Sequence, residues 1–314
     1  ANVPTTAMRQ GDFSSLLSQG IVITDPATGS PFPGNKIPAN RLSQVAVKAQ
    51  DLLFLPANVG PSDNYSNNWV GLFPSSSHNN RYVTRLDHVF SEHDTLSGRV
   101  SIRDLPEPEA QYGPFPSNDY RQSRRTWNAY ISETHIFTPS FLNEFRLGYS
   151  RDQIRTVSFH SGGQVVQQIG LQGVNSNNDL SGIPSFNFNN FSSLNEATNG
   201  LRTSQTKELL DNITMVKGRH NIKAGVLIRD NNPNQDSGPA NGTDFGSFDF
   251  TGFATGFDYA DFLLGIPQQS SLAYLAPNAY LHYILTVLFI QDDSHSTPKL
   301  TLNFGLRWEH NLPT

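Results

Sequence analysis

The stretch Leu300-Thr-Leu-Asn-Phe-Gly-Leu-Arg-Trp-Glu309 decides the fold of this chain. Every second residue from Leu300 to Trp308 is apolar or aromatic, and the residues between them are polar or glycine. Because successive side chains of a β-strand point to opposite faces, a period of two predicts a strand with one apolar face. The sequence therefore predicts a sheet, and this strand lies at its C-terminal end.

Several other segments repeat the same alternation. The clear cases are residues 95–103, 141–150 and 220–230, and weaker cases are residues 81–90, 125–137 and 204–216. A further segment, residues 279–292, is apolar on both faces in its middle. Together these patterns predict about eight strands after residue 80, and therefore an all-β fold.

The connections between the predicted strands alternate strictly between short and long. The short ones lie near residues 91–94, 138–140, 217–219 and 294–298, and the long ones span 105–124, 152–203 and 231–278. In an up-and-down antiparallel sheet successive connections fall at opposite ends, so every long loop lies on one rim. Short turns on one rim, long loops on the other and strands of about ten residues are typical of outer-membrane β-barrels.

Aromatic residues near the predicted strand ends agree with the interfacial girdle of such a barrel. These residues are Tyr82, Phe90, Trp127, Phe137, Phe141, Tyr149, Phe289 and Trp308. Residues 81–314 are therefore predicted to form an antiparallel, up-and-down outer-membrane β-barrel segment.

Residues 1–80 differ from the rest of the chain, because they are rich in Pro, Gly, Asn and Ser. We predict an irregular extension with one short helix near residues 40–55, capped by Asn40 or Ser43 and ended by Pro56. The sequence thus predicts two regions, which divide near residue 80.

Composition excludes several classes of function. The 314 residues carry 22 Lys+Arg against 27 Asp+Glu, a net charge of −5, which argues against a nucleic-acid partner. The absence of cysteine excludes disulfides, cysteine–zinc sites and thiol catalysis. The sequence contains no run of about 18 apolar residues, so it predicts no helical membrane span. We expect no cofactor.

No motif in the sequence predicts an enzyme, since neither a nucleophile elbow, a phosphate-binding loop nor a zinc-protease helix motif occurs. The residues Asp87, His88, Glu92, His93 and Asp94 are of metal-ligand type. Alternation directs Asp87 and His88 to opposite faces, so we interpret this segment as a polar hairpin turn and predict no metal site.

One aromatic–amide cluster in the second long loop is a candidate ligand site. It consists of Phe186, Phe188 and Phe191 interleaved with Asn187, Asn189 and Asn190. In an external loop, such rings can stack on a sugar or a peptide. A loop that packs on itself is the other interpretation, and both stay open here.

Several strings of the sequence, taken together, resemble a known family. They include Arg85-Leu-Asp-His-Val-Phe-Ser-Glu-His-Asp-Thr-Leu-Ser-Gly-Arg99, residues 137–151, 218–226, 258–267 and 291–309, and the early stretches 8–13 and 25–38. In their order and spacing they resemble the barrel region of TonB-dependent outer-membrane receptors. The resemblance is greatest to the Oar-like subgroup, which has a carboxypeptidase-regulatory-like N-terminal domain.

The resemblance implies a receptor or transporter of the bacterial outer membrane, whose long external loops capture a ligand such as a glycan, a peptide or a chelate. Its implied partners are membrane lipid and, in a full-length receptor, the plug and TonB. Such receptors have about 22 strands, a plug and a TonB box, none of which this chain matches. We therefore expect an internal fragment of a receptor.

Two alternatives remain open at this point. Strands with one apolar face also occur in soluble sandwiches, so a soluble or cell-surface β-rich module that binds a glycan or a protein is possible. A hydrolase with a site built from loops is a further, less favoured alternative.

Overall fold

The computed structural model describes residues 1–72, 78–106, 109–110, 120–162, 164–174, 182–196, 199–237, 245–272 and 279–313. Among these residues, no helix is both long enough and apolar enough to cross a membrane. The described chain divides between one large antiparallel sheet and a second, mixed unit.

The large sheet contains eight long strands in the described part of the chain. In order across the sheet they are β1 (Asn80–Val89), β2 (Asp94–Leu105), β4 (Tyr120–Thr138), β5 (Phe141–Ser158), β7 (Gly200–Lys217), β8 (His220–Ser237), β12 (Tyr283–Thr297) and β13 (Leu300–Pro313). Two short strands, β3 (Glu109–Ala110) and β11 (Ala279–Tyr280), pair with β4 and β8. All these pairs are antiparallel, so the predicted all-β, up-and-down fold is confirmed.

The predicted alternation of connections is also confirmed. The connections 90–93, 139–140, 218–219 and 298–299 lie at one end of the sheet, and the strand ends that residues 106–119, 159–199 and 238–282 join lie at the other. The predicted strand length of about ten residues is met by β1, which has 10 residues, but β4 with 19 residues and β5 with 18 are much longer. Pairing continues past the alternating segments into residues that are polar on both faces, such as Arg124 and Arg125.

Cross-strand register sorts the side chains of the large sheet into two faces, because residues that pair directly point the same way. The apolar face carries Leu96, Val100, Ile131, Phe145, Leu147, Ile213, Val226, Leu288, Phe304 and Leu306, among others. The polar face carries Arg99, Asn128, Ser150, Thr206, Glu208, Arg229, Asn303 and Arg307, among others. Leu306 and Leu86, both on the apolar face, are 72% and 75% exposed, so this face lacks a protein cover within the described chain.

The segment predicted to be apolar on both faces is β12. Val287 pairs with Leu227, which pairs with Leu210, so these three apolar side chains form a row on the polar face. Val287 is fully buried. This small apolar patch explains the departure from strict alternation in residues 279–292.

The second unit consists of residues 1–72, 164–174, 182–196 and 245–272, which we call the cap. Its helices are α1 (Thr6–Arg9), α2 (Gln44–Leu53), α3 (Val165–Ile169) and α4 (Asp258–Leu264), with 3₁₀ turns at Ser14–Gln19, Pro33–Asn35 and Ala39–Arg41. A three-stranded sheet joins β6 (Ser185–Phe188), β9 (Ser247–Phe250) and β10 (Gln269–Ser271) in the order β10-β9-β6. The cap is therefore built from the N-terminal segment and from the connections between β5 and β7 and between β8 and β12.

Helix α2 lies inside the range predicted for the N-terminal helix. The hydroxyl of Ser43 accepts a hydrogen bond from the backbone N–H of Ala46 at 3.4 Å, so Ser43 is the N-cap. One face of the helix is buried in the cap core and carries Ala46, Ala49 and Leu53.

The cap has a single hydrophobic core that is shared by distant parts of the sequence. Phe13 and Phe54 from the extension pack in one cluster with Ile183, Phe257 and Leu263 from the two long connections. The buried apolar side chains of residues 1–54 thus share one core with loops of the sheet. The predicted division near residue 80 coincides with the start of β1, and as a domain boundary it stays a prediction.

Candidate functional site

The three phenylalanines predicted to bind ligand lie in and beside the cap core. Phe186 is 3% exposed and Phe191 is 5% exposed, while Phe188 is only partly buried. Their rings contact Phe262 at 5.7 Å (Phe186), Phe250 at 5.7 Å (Phe188) and Tyr259 at 5.3 Å (Phe191), measured between centroids. The structure gives Phe186 and Phe191 a packing role, and the predicted contact of the three rings with an external ligand stays a prediction.

A cleft of about 220 Å³ opens beside Phe188 on the small sheet. Its lining combines two rings with amide, hydroxyl and carboxylate groups: Asn187, Phe188, Asn189, Asp249, Phe250, Thr251, Gln268 and Gln269. The alternation of β6 produces this arrangement, because Phe186 and Phe188 point to the core while Asn187 points away from it. The amides that the sequence places between the rings therefore line the cleft.

Hydrogen bonds hold the polar groups of the cleft in place. Asn187 Nδ2 donates to Asp249 Oδ1 at 2.7 Å and to Ser247 Oγ at 3.0 Å, across the β6–β9 pair. Thr251 Oγ1 donates to Gln268 Oε1 at 2.7 Å. An amide or a carboxylate has more donor and acceptor positions than these bonds use, so the cleft can still bind the hydroxyl or amide groups of a ligand.

Two buried carboxylates fix the loops around this site. Asp258 Oδ2 accepts from the backbone N–H of Asn190 at 2.6 Å, and Oδ1 accepts from that of Tyr259 at 2.8 Å. Burial raises the pKa of Asp258 above its ordinary value. Asp261 accepts from the backbone N–H of Thr255 at 2.8 Å and from its hydroxyl at 2.6 Å. These bonds connect α4 to the loops that border β6 and β9.

A third buried carboxylate, Glu196, joins the two ends of the same long connection. Its Oε1 accepts from the backbone N–H of His160 at 2.9 Å and lies 2.6 Å from His160 Nδ1, and its Oε2 accepts from the N–H of Ile183 at 3.1 Å. The loop that carries the three phenylalanines is therefore held at its base, which reduces the entropy that a ligand would have to overcome.

A separate groove of about 370 Å³ lies on the polar face of the large sheet. It is lined by Arg81, Arg99, Ser101, Asn128, Ala129, Tyr130, Gly148, Tyr149, Ser150, Thr206 and Glu208. At its border, Glu208 Oε2 accepts from Arg229 at 2.6 and 2.8 Å, and the guanidinium of Arg146 lies 5.4 Å from the ring of Tyr130. The groove can bind polar or charged groups.

The residues considered as metal ligands are not brought together as one cluster. Asp87 pairs with Arg85 on the polar face, and His88 contacts Phe90, so Asp87 and His88 do point to opposite faces. Instead, Asp94 meets Glu133 and His135 of β4, with ligand atoms all within 4.8 Å of one another. The sequence did not indicate this trio, because β4 lies about 40 residues further along the chain.

Within that trio, His135 Nδ1 lies 2.5 Å from Asp94 Oδ1, and Ser91 Oγ donates to Asp94 Oδ2 at 2.7 Å. Carboxylate and imidazole groups are ligands for divalent transition metals. In the structure the same groups serve the hairpin between β1 and β2, because their hydrogen bonds link the turn at residue 91 to the adjacent strand.

Comparisons with known proteins bear on this architecture. A family model for the outer membrane beta barrel domain matches residues 1–314, the whole chain. Among solved structures, the outer membrane transporter YddB from Escherichia coli is similar, with a TM-score of 0.48 and 8% identity. The match covers 74% of this chain and 27% of that transporter, so this chain spans about a quarter of its length.

None of the curated proteins matches the sequence. The family model accounts for every residue from the cap to the last strand, and it agrees with the antiparallel sheet, its apolar face and the placement of all long connections on one rim. The chain therefore belongs to the outer membrane β-barrel domain family, and it resides in the bacterial outer membrane.

Proposed function

We propose that this chain is a segment of a TonB-dependent outer-membrane receptor of the Oar-like subgroup, and that its cap captures an external ligand. The observation that carries the proposal is the cap itself. The N-terminal segment and the two longest connections on one rim share one folded core and present a polar cleft, whereas the opposite rim has turns of two to four residues. Long loops of outer-membrane barrels are external, so the cap faces the medium.

The chemistry of the cleft favours a neutral, polar ligand, and a glycan or a peptide has the required groups. Amides and one carboxylate recognise hydroxyl and amide groups through hydrogen bonds, and Phe188 adds an aromatic surface at the edge of the cleft. At about 220 Å³ the cleft is smaller than a usual drug-sized pocket, so it fits one sugar or one side chain of a longer ligand. The ring of Phe188 contacts that of Phe191 at 6.3 Å between centroids, and it packs against the core that contains Phe186.

The polar face of the sheet has the properties expected of a surface along which a captured ligand is transported. In a barrel of this family the apolar face contacts lipid, so the polar face lines the lumen. The groove around Arg99 and Glu208 then lies on the path of a ligand that leaves the cap. In a complete receptor, the plug and TonB would control this path.

The orientation of the cap can be tested on intact cells, because the chain has no cysteine of its own. We expect a Ser270→Cys variant, in exposed strand β10, to react with a membrane-impermeant maleimide on intact cells. A Ser140→Cys variant, in a short turn, should react only after the outer membrane is permeabilised. The reverse pattern would contradict an external cap.

Ligand capture can be tested with glycan and peptide arrays, probed with the purified chain in neutral maltoside micelles. We expect Asn187→Ala and Gln268→Ala to weaken binding to any array hit about tenfold, and Gln19→Ala, at an exposed site elsewhere in the cap, to leave it unchanged. TonB dependence is tested by uptake of the hit in cells with and without TonB. Equal binding by all variants would show that the cleft is not the ligand-binding site.

A further inference from the structure

The cations on the apolar face lie mainly toward one of its two ends. Toward the long connections the register of the described strands places five of them: Arg121, Arg125, Arg151, Arg155 and Lys207. The carboxylate residues at the same end are Asp104, Glu109, Asp230 and Asp236. Toward the short turns the face carries the carboxylates of Asp94, Glu133, Asp211 and Asp292. The lysine or arginine that the described strands place at this end is Lys217. The apolar band separates these two charged ends.

A pocket of about 320 Å³ lies among the cations, between β4 and β5. Its five lining residues are Arg125, Trp127, Tyr149, Arg151 and Gln153. All five lie on the apolar face, since Trp127 pairs directly with Arg151 and Arg125 pairs directly with Gln153. We call it the headgroup pocket.

Tyr149 lies on the side of the pocket nearer the apolar band, Trp127 and Arg151 lie opposite each other at the next level, and Arg125 and Gln153 lie nearest the long connections. Trp127 and Tyr149 are 40% and 38% exposed, and the next residues along their strands on the same face are Ala129 and Leu147. Indole and phenol rings at such a level are typical of the membrane–water interface. The pocket thus opens at the depth where lipid headgroups meet their acyl chains.

The two guanidinium groups of the pocket have hydrogen-bonding capacity left over. Arg125 Nε donates to Asp104 Oδ1 at 3.0 Å, and the Arg125 side chain is still 56% exposed. The Nε of Arg151 is shielded from solvent and has no hydrogen-bond partner among the described residues. A cation that faces lipid needs a counter-charge, because an unpaired charge at the bilayer is costly.

We propose that the headgroup pocket binds the phosphate of an anionic lipid in the external leaflet of the membrane. Arginine forks match phosphate oxygens in a bidentate geometry, and basic pockets on membrane proteins bind anionic headgroups. A membrane lipid is the occupant that fits best, because the pocket opens on the apolar face and the acyl chains would continue along Ile131 and Leu147. This site concerns the lipid-facing surface and is independent of ligand capture by the cap.

The test measures lipid preference for the purified chain in neutral maltoside micelles, by native mass spectrometry. The probes are dimyristoyl phosphatidylglycerol, which is anionic, and dimyristoyl phosphatidylcholine, whose phosphate is compensated by choline. We expect the anionic lipid to bind about tenfold more tightly, and the double variant Arg125→Gln/Arg151→Gln to lose that preference. The matched control is Arg103→Gln/Arg124→Gln, which removes the same charge from the polar face at a similar level.

Three results would overturn the proposal: no preference in the unmodified chain, equal loss of preference in both double variants, or displacement of the lipid by 10 mM inorganic phosphate. The last result would indicate a site for a free anion instead of a lipid. If the glutamine variant does not fold, as judged by heat-dependent gel mobility, Arg125→Lys/Arg151→Lys replaces it. This variant keeps both charges but not the guanidinium fork, and we expect it to lower the preference about threefold.

Discussion

Asp12 and Lys36 join two turns of the cap, with Nζ and Oδ2 2.7 Å apart, and the backbone N–H of Ser14 donates to Asp12 Oδ1 at 2.9 Å. These bonds lower the pKa of Asp12 from 3.8 to about 2. Because the folded-state pKa lies below the unfolded one, the stabilising contribution is complete above pH 3.8 and is lost as the pH falls to about 2. The pair is partly exposed, so the contribution is at most about 1 kcal/mol.

We therefore expect Asp12→Asn to lower the urea midpoint of the cap at pH 7, and most of the difference from the unmodified chain to be lost at pH 2. Trp69 packs against the cap core and reports its unfolding by fluorescence in a Trp127→Phe/Trp308→Phe background. Asp63→Asn, at an exposed cap residue, is the control. A difference that persists in full at pH 2 would show that the carboxylate acts otherwise than through its charge.

Asp261 and Asp249 are two carboxylates for which the structure predicts opposite consequences. Asp261 is fully buried and accepts bonds from the backbone and hydroxyl of Thr255. Asp261→Ala should leave these donors unsatisfied and destabilise the cap by about 1–3 kcal/mol. Asp249 lines the open cleft, so Asp249→Ala should change stability by less than about 1 kcal/mol and weaken ligand binding instead. Urea unfolding and array binding, measured on both variants, separate these roles.

The sequence identified the aromatic–amide cluster of the candidate site but not its partners. Phe186, Phe188 and Phe191 stand out locally, because rings and amides alternate over six residues. Their contacts with Phe250 and Tyr259, and the bond from Asn187 to Asp249, span about 60 to 70 residues of sequence. No short-range pattern encodes such contacts, so burial of two of the rings could not be predicted.

Among the elements, the strands were predictable and the parts of the cap were mostly not. A strand of ten or more residues shows its period of two many times, as β13 does from Leu300 to Trp308. Strands β6, β9 and β10 have three or four residues each, which is too short for a periodic signal. Helix α2 was predictable because Ser43 caps it and apolar residues recur on one face.

Strand β8 contains a glycine whose replacement tests the packing of the polar face. A Cβ at Gly225 would lie 2.7 Å from Cε1 of Phe289 and 2.9 Å from the backbone O of Asp211, and closest of all to Oδ1 of Asn212. A backbone oxygen cannot rotate away, so we expect Gly225→Ala to destabilise the sheet by about 1–3 kcal/mol.

The matched control is Gly305→Ala in β13, where the nearest atom to an added Cβ is 3.7 Å away. It should be neutral or slightly stabilising, because alanine restricts the unfolded chain more than glycine does. The measurement is the temperature at which the folded band of each variant disappears on a denaturing gel. If the folded band of both variants disappeared at the same temperature, the neighbouring strands β7 and β12 would have to shift around Gly225 at little energetic cost.

At the scale of the whole molecule, one surface of the sheet has the properties of a lipid-facing wall. Its apolar side chains are exposed over eight strands, whereas the cap buries a cluster of apolar side chains in a core. Hydrocarbon also requires that backbone groups be paired, so β1 and β13, the edges of the described sheet, need neighbours in a membrane. These features agree with family membership and argue against the soluble alternative.

The chain should therefore fold only where its apolar face is covered by micelles or lipid. We expect β-rich circular dichroism and a heat-dependent gel shift in detergent or lipid vesicles, and aggregation in plain buffer. A monodisperse, cooperatively folded state in buffer would contradict a lipid-facing wall. If lipid covers only the apolar face, a charged residue should be harmful on that face of a strand and tolerated on the other. Strand β13 has one suitable position on each face.

Leu306 pairs with Ile290 on the apolar face, and Asn303 pairs with Asp293 on the polar face. An arginine toward the lipid costs about 2–4 kcal/mol at the bilayer midplane, whereas an arginine toward the lumen stays in water. Leu306→Arg should lower the folded fraction in vesicles, as measured by the heat-shifted band, and Asn303→Arg should not. Should Asn303→Arg prove the more damaging, the assignment of the faces would be reversed, and the cap and the headgroup pocket would need a different orientation.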